Sequence, residues 1–422
     1  MMDKMIDSYI DDILREKILR LNSIDYFSEK ELSWTIVENG LVLPYAGSTG
    51  SRTKGGVVEN NGCFVDQSGL HENHGCGYDF PEKDIVQVNK DAIYLGMFFP
   101  IWGHCITDNI KKLWFLRTTR AQELIQNGAD LVYVVMMDNQ YNLPQNFIDL
   151  LQAYGVDTIQ IKRIKEPTKY SNIYIPDNSL YRVGEKIFYT KEFNETKNII
   201  LNNIPRSSIR IYDKIYFSRT RLKNGKQDFG EKRIEDVFRY LGYKIFYPEQ
   251  LTLAEQITLL QNCSHFAATE GSTSHNSIFC KPKTKVIIIR KGAYLNNYQP
   301  TINAINNFEV VYIDAHLSIF TDKNRVWNGP FFLYANNNLL RFADIPFVFN
   351  NFSMHSFKKY AKLAYPKNKE CMELTDFYSQ RLIEEINMCY FSKGLIKRIM
   401  HLFLSNCNLS IWLPVYKKLF QK

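Results

Sequence analysis

The chain has 422 residues, 45% hydrophobic and 14% aromatic, which supplies apolar surface for two packed cores and excludes a disordered or fibrous chain. Lysine and arginine outnumber aspartate and glutamate by 52 to 44, a formal charge of +8 that favours anionic partners such as phosphates; the basic residues are spread along the chain, which argues against nucleic-acid binding. The eight cysteines form no CxxC pair, no secretory signal is legible, and no stretch reaches the ~20 apolar residues of a spanning helix, so reduced thiols and a cytosolic setting are expected.

In chain order, residues 3–21 read as a helix and residues 44–78 as Gly-rich loops and short strands. From Asp91, DAIYLGMFFPIWGHCITDNIKKLWFLRTT predicts a strand, a turn at Pro100 to Gly103, and an amphipathic helix running past Leu116. ADLVYVVMM is a buried strand, PQNFIDLLQAYGV a helix closed by Gly155, and TIQIKRI and SNIYIPD are strands. This alternation predicts a mainly parallel sheet. After a polar helical connector over residues 190–208 the rhythm restarts. DKIYFSRTR, KIFYPEQ, SHFAAT, KTKVIIIR and FEVVYIDA read as strands, with helices EKRIEDVFRYLGY and TLAEQITLLQNC between them.

The organisation expected is an N-terminal α/β domain at 1–200, a second doubly wound α/β domain at 209–345 and a helical segment at 346–422 packing back on the first. The end of that segment joins Phe403, Leu404, Trp412 and Phe420 to Lys393, Lys397, Arg398, Lys417, Lys418 and Lys422. That composition suits either an interfacial helix on an anionic membrane or a docking helix with a solvated basic face.

Three stretches can carry chemistry. Ser218-Arg219-Thr220-Arg221 leaves a strand at the edge where doubly wound sheets bind phosphorylated ligands; guanidinium groups grip a diphosphate in bidentate fashion, and Lys223 and Lys226 follow. Glu270-Gly271-Ser272-Thr273-Ser274 lies between a strand and a helix starting near His275 and Asn276. Small residues there let backbone N–H groups approach a phosphate or sugar edge, although an ordinary Gly-Ser turn has the same pattern. In the first half, His104 and Asp108 lie four apart in a helix that also carries Lys111, Lys112 and Trp114. Either could take a hydroxyl proton as general base, or Asp108 could cap the helix with His104 in the core.

His71-Glu72-Asn73-His74, with Cys63 and Cys76, lacks the second ligand pair of a metal cage, so no metal is expected. The absence of GxxxxGK[ST], of GxGxxG after a strand and of DxD weighs against ATPase, dehydrogenase and Mg-dependent transferase readings.

The order of these motifs resembles glycosyltransferase family 61 over about residues 90–290. A GH-x-x-x-[DE] pattern before a Trp matches Gly103, His104, Asp108 and Trp114; a strand ending in Ser-Arg matches Ser218-Arg219. Gly230-Glu231, Tyr247-Pro248-Glu249 and Ala254-Glu255-Gln256 follow, and Gly271, Ser272, Asn276 and Phe279 match Gly-[Ala/Ser]-x-x-x-Asn-x-x-Phe. The resemblance implies a GT-B-like α/β fold, two Rossmann-type domains facing a cleft, and inverting transfer that needs no metal or other cofactor. The donor would be a nucleotide sugar, UDP-linked, and the acceptor a bacterial surface glycan such as a capsular polysaccharide or a lipid-linked glycan. The place would be the inner face of the cytoplasmic membrane. It further implies that Arg219, Arg221, Lys226, Glu270, Gly271, Ser272, Thr273 and Asn276 hold the donor while Asp108 or His104 serves as base. Glu270 departs from the family, many of whose members carry His at that place. Two rival readings are a polysaccharide pyruvyltransferase using phosphoenolpyruvate and a noncatalytic glycan-assembly component.

Overall fold

The structure, a computed structural model, describes residues 8–9, 12–50, 52–71, 74–137, 142–222, 228–292, 296–316 and 329–345, with Ser356, Lys359, Tyr360 and Leu363 beyond them. Lys223, Lys226 and, apart from those four positions, the segment 346–422 lie outside the described residues.

Strand β1 (Ser8–Tyr9) and helix α1 (Asp12–Asn22) come first, followed by six short strands: β2 (Trp34–Glu38), β3 (Leu41–Leu43), β4 (Ser48–Thr49), β5 (Arg52–Lys54), β6 (Gly56–Val58) and β7 (Gly75–Cys76). The long strand β8 (Val86–Phe98) then leads through α2 (Trp102–Cys105) and α3 (Thr119–Gln126) to β9 (Asp130–Val135). Next come α4 (Gln145–Tyr154), β10 (Ile161–Arg163), β11 (Thr168–Pro176), the hairpin of β12 (Leu180–Val183) and β13 (Lys186–Tyr189), and α5 (Lys191–Asn203). All six residues of β9 are buried, as a strand covered on both faces requires. Helix α4 ends where Gly155 takes φ 97°, a left-handed C-cap that glycine adopts without strain.

The first sheet has the order β10-β9-β8-β11-β3-β6, with β2 also on β11. It is mixed. Strands β10, β9, β8 and β11 run parallel, while β2, β3 and β6 add antiparallel. The antiparallel strands come from residues 34–58, where brief strands show too little alternation to be read.

The second sheet is built from β14 (Lys214–Phe217), β16 (Lys244–Phe246), β17 (His265–Thr269), β18 (Lys285–Arg290) and β19 (Glu309–Asp314), with β15 (Asp228–Phe229) and β20 (Phe331–Phe332) pairing elsewhere. Its order is β1-β19-β18-β17-β14-β16 and its established pairs are parallel. Helices α6 (Glu231–Tyr240), α7 (Leu253–Asn262), α8 (Ser272–His275) and α9 (Tyr298–Asn306) connect these strands, and α10 (Asn337–Ala343) follows β20. A capping box, Thr252 with Glu255, starts α7. The parallel strands and alternating helices read in this half are present, with one addition: β1, from the far N-terminus, completes the sheet's edge on β19.

The chain forms two compact units. The first comprises residues 1–223, 238–290 and 295–313 and contains both sheets; the second comprises 224–237, 291–294 and 314–422. These units divide the chain differently from the boundaries at 200, 209 and 345 read from the sequence. A continuous apolar core joins the two sheets of the first unit, from Leu95, Phe98 and Phe147 to Phe217, Ala268 and Ile288, all buried. Within the second unit, β15 and β20 pair in parallel and the Lys291 ammonium meets the Asp228 carboxylate at 3.2 Å.

Candidate active site

The amphipathic helix expected after Gly103 is broken. Only residues 102–105 are α-helical; two single 3-10 turns, Asp108–Ile110 and Leu113–Arg117, follow before α3. The break has a local cause. Thr107 leaves helical geometry, at φ −127° and ψ −82°, and its hydroxyl donates to the Gly103 carbonyl at 2.8 Å. Asn109 straps the turn to the end of β8, accepting from the Phe99 N–H at 3.0 Å and donating to the Phe99 carbonyl at 3.1 Å. Polar side chains are thereby driven inward: Asp108 is 4% exposed, Lys111 4% and Lys112 0%. Their ammonium groups donate to backbone carbonyls, Lys111 to Leu70 and Lys112 to Pro176, which removes the cost of burying them bare.

Asp108 is the hub. Its Oδ2 accepts from His104 Nδ1 at 2.6 Å and from the Tyr298 hydroxyl at 2.7 Å; its Oδ1 faces His71 Nδ1 at 3.7 Å and the Lys111 ammonium at 3.9 Å. Burial alone would push this carboxyl up, but the hydrogen bond from His104 and the nearby positive charge outweigh it and hold the group far below the usual carboxylate range. His71 behaves oppositely: burial lowers its imidazole to about 3, so it is neutral at ordinary pH. Burial also holds the Tyr298 phenol well above its usual range, so it remains a donor to the carboxylate.

The consequence falls on His104. A carboxylate at Nδ1 selects the tautomer with the proton there and leaves the Nε2 lone pair as the acceptor. The side chain is 26% exposed, and Nε2 makes no hydrogen bond to a described residue. The ring lies against Phe99, centroids 4.7 Å apart. Of the two groups between which the sequence left the base undecided, Asp108 is enclosed, its Oδ2 accepting from both His104 and Tyr298, while the His104 side chain is partly exposed.

This turn abuts the glycine turn of the second sheet. A side chain at Gly103 would stand 2.9 Å from both His275 Nδ1 and Ser272 Oγ, so only glycine lets α2 approach α8 this closely. Trp102 Nε1 donates to Asn276 Oδ1 at 2.9 Å across the same contact.

Arg219 and Gly271 leave the second sheet at one edge. β14 and β17 are neighbours, with Phe217 opposite Ala268, so Arg219 and Glu270 each stand two residues beyond a paired position at the carboxyl ends. Gly271 has φ 109°, which favours glycine, and is partly exposed along with Ser272. Arg219 is half-buried; Arg221 is exposed, lies 4.0 Å over the Tyr247 ring and donates to Gln250 at 3.3 Å.

The remaining side chains expected at the donor are used inside the protein. Asn276 donates to the Ser272 and Thr273 carbonyls while accepting from Trp102. Glu270 accepts the Asn296 N–H at 2.9 Å, and Thr273 is buried.

His71, Lys111, Arg182 and Tyr298 gather at the site without having been singled out as a group. Arg182, in β12, is a neighbour of both Tyr298 and His71. A histidine in a loop and a tyrosine opening a helix carry no spacing that relates them to residues far along the chain, so no local pattern could have found them.

Residues 102–287 match the family model described as Glycosyltransferase 61, a span that holds the His104 turn, the Arg219 strand end and the glycine turn. No curated protein matches the chain.

Proposed function

Since the chain carries the glycosyltransferase 61 region and is a glycosyltransferase, we propose that it transfers a sugar from a UDP-linked donor to a bacterial surface glycan, without a metal and with inversion, in a GT-B arrangement. The observation that supports this most is the His104–Asp108 pair, closed at 2.6 Å and packed through Gly103 onto the Ser272 turn.

In this reading the acceptor hydroxyl loses its proton to His104 Nε2 as its oxygen attacks the anomeric carbon. The bond from that carbon to the diphosphate oxygen breaks, and the electron pair leaves with the nucleotide. Asp108 keeps the imidazole in the right tautomer and stabilises it once protonated, and stays ionised throughout. Arg219 and Arg221, with the Gly271 and Ser272 backbone, offset the charge that develops on the leaving diphosphate. Lys226 and the basic aromatic tail complete the proposal as a further donor contact and an attachment to the inner membrane face; among the described residues no helix is long and apolar enough to cross a membrane.

Thermal unfolding with UDP, other nucleoside diphosphates and phosphoenolpyruvate tests this. A ligand at 100 times its Kd adds about 2.7 kcal/mol of stability, so UDP should raise the Tm by a few degrees. A response to phosphoenolpyruvate alone would identify a pyruvyltransferase instead, and no response to any of them would leave a noncatalytic assembly component.

A further inference from the structure

We propose that Tyr298 is a positioning residue for the proton-accepting pair and that the first turn of α9 aligns that pair with the glycine turn. The inference rests on the reading of His104 as base and extends it to residues outside the matched region.

Tyr298 donates to the same oxygen of Asp108 that accepts from His104, at 2.7 Å against 2.6 Å. Two donors on one oxygen fix the carboxylate plane and so the direction in which Nε2 points. The tyrosine is itself held at its backbone. Its N–H donates to Asn296 Oδ1 at 2.9 Å, and the Asn296 N–H donates to Glu270 Oε1 at 2.9 Å. Glu270 directly precedes the glycine turn. The next residue of α9, Gln299, accepts from the Ser274 hydroxyl at 2.6 Å, and Ser274 in turn accepts the Gly271 N–H at 3.2 Å. Adjacent residues of one helix thus reach the carboxylate of the base on one side and the phosphate-side turn on the other. Glu270, which the sequence suggested as a donor contact, acts in this arrangement through Asn296 and Tyr298.

Several groups share this environment and set the sign of any pH effect. His104 and Lys111 face Asp108 from its own stretch, His71 from the loop before β7 and Tyr298 from α9. Arg182 faces Tyr298 and His71 from β12, and the His275 ring lies 5.9 Å from that of Tyr298. Removing the Tyr298 hydroxyl leaves the Asp108 charge less neutralised, so the adjacent imidazole keeps its proton to higher pH and the base form appears later.

The test is Tyr298→Phe beside His104→Ala, with kcat, donor KM and pH profiles measured on the full chain. Tyr298→Phe should lower kcat up to about tenfold at neutral pH, the loss that a shift of about one pH unit in the acid limb produces. The acid limb of kcat/KM should rise by about one pH unit, activity should recover on the alkaline side, and donor KM should hold. A uniform loss at every pH, or an unmoved profile, would overturn the positioning role while leaving the base assignment intact if His104→Ala is inactive. Normal turnover by His104→Ala would instead overturn both. Should Tyr298→Phe not fold, Asn296→Ala, which removes the acceptor that holds the Tyr298 backbone, must move the acid limb in the same direction by less; an unmoved limb there also refutes the proposal.

Discussion

The turn after β8 and the carboxyl edge of the second sheet meet at Gly103, yet they are built on opposite plans. At the first, side chains do the work and are locked: Asp108 is enclosed, and His104, Tyr298, His71 and Lys111 converge on its two oxygens. At the second, Arg219, Gly271 and Ser272 are partly exposed and Arg221 is exposed, while Asn276 and Glu270 brace the framework from within. The difference suits the chemistry proposed for each. A proton acceptor needs a fixed direction and tautomer, which buried partners impose. A diphosphate spreads charge over many oxygens and is gripped by long cations and N–H groups near solvent.

His104→Ala should produce the largest effect, cutting kcat on the order of 10²–10⁴-fold while leaving nucleotide binding in place. If the purified variant turned over normally, the locked side would have no catalytic role. Arg219→Ala comes next, with an expected loss of about 10²–10³ in turnover together with a weaker nucleoside diphosphate thermal shift. A variant that binds UDP as well as the parent would remove the open edge from the argument.

The smallest effect sharpens the enclosed side. His71 takes a proton at about 3 when folded and near 6.5 when unfolded. Between those values the unfolded chain binds the extra proton, so stability falls as pH drops from about 6.5 towards 3 and is retained above that window. His71→Asn should therefore flatten the decline in Tm between neutral pH and pH 5. An unchanged slope would mean that His71 is not enclosed as the structure has it.

Much of the fold was legible because its signals are local. The strands ADLVYVVMM and KTKVIIIR carry uninterrupted apolar runs, and α4 stops at Gly155, a glycine with φ 97°. The helix drawn past Leu116 failed because Thr107 and Asn109 have side-chain partners, the Gly103 carbonyl and the Phe99 backbone, that compete with helical hydrogen bonding. The mixed character of the first sheet was hidden for a related reason: strands of three residues such as β3 and β6 show no period.

The amino-acid sequence by itself determined the alternation of strands and helices, the place of His104 four residues before Asp108, and the Ser-Arg and Gly-Ser turns that follow strands. Each is set by neighbours in the chain, through periodicity, capping and the conformational freedom of glycine. Tertiary structure alone decided which of the pair is enclosed and that Tyr298 and His71 join them. Those contacts link residues 190 and 37 positions apart, and only the packing of one sheet's turn on the other's brings them within hydrogen-bonding or charge range.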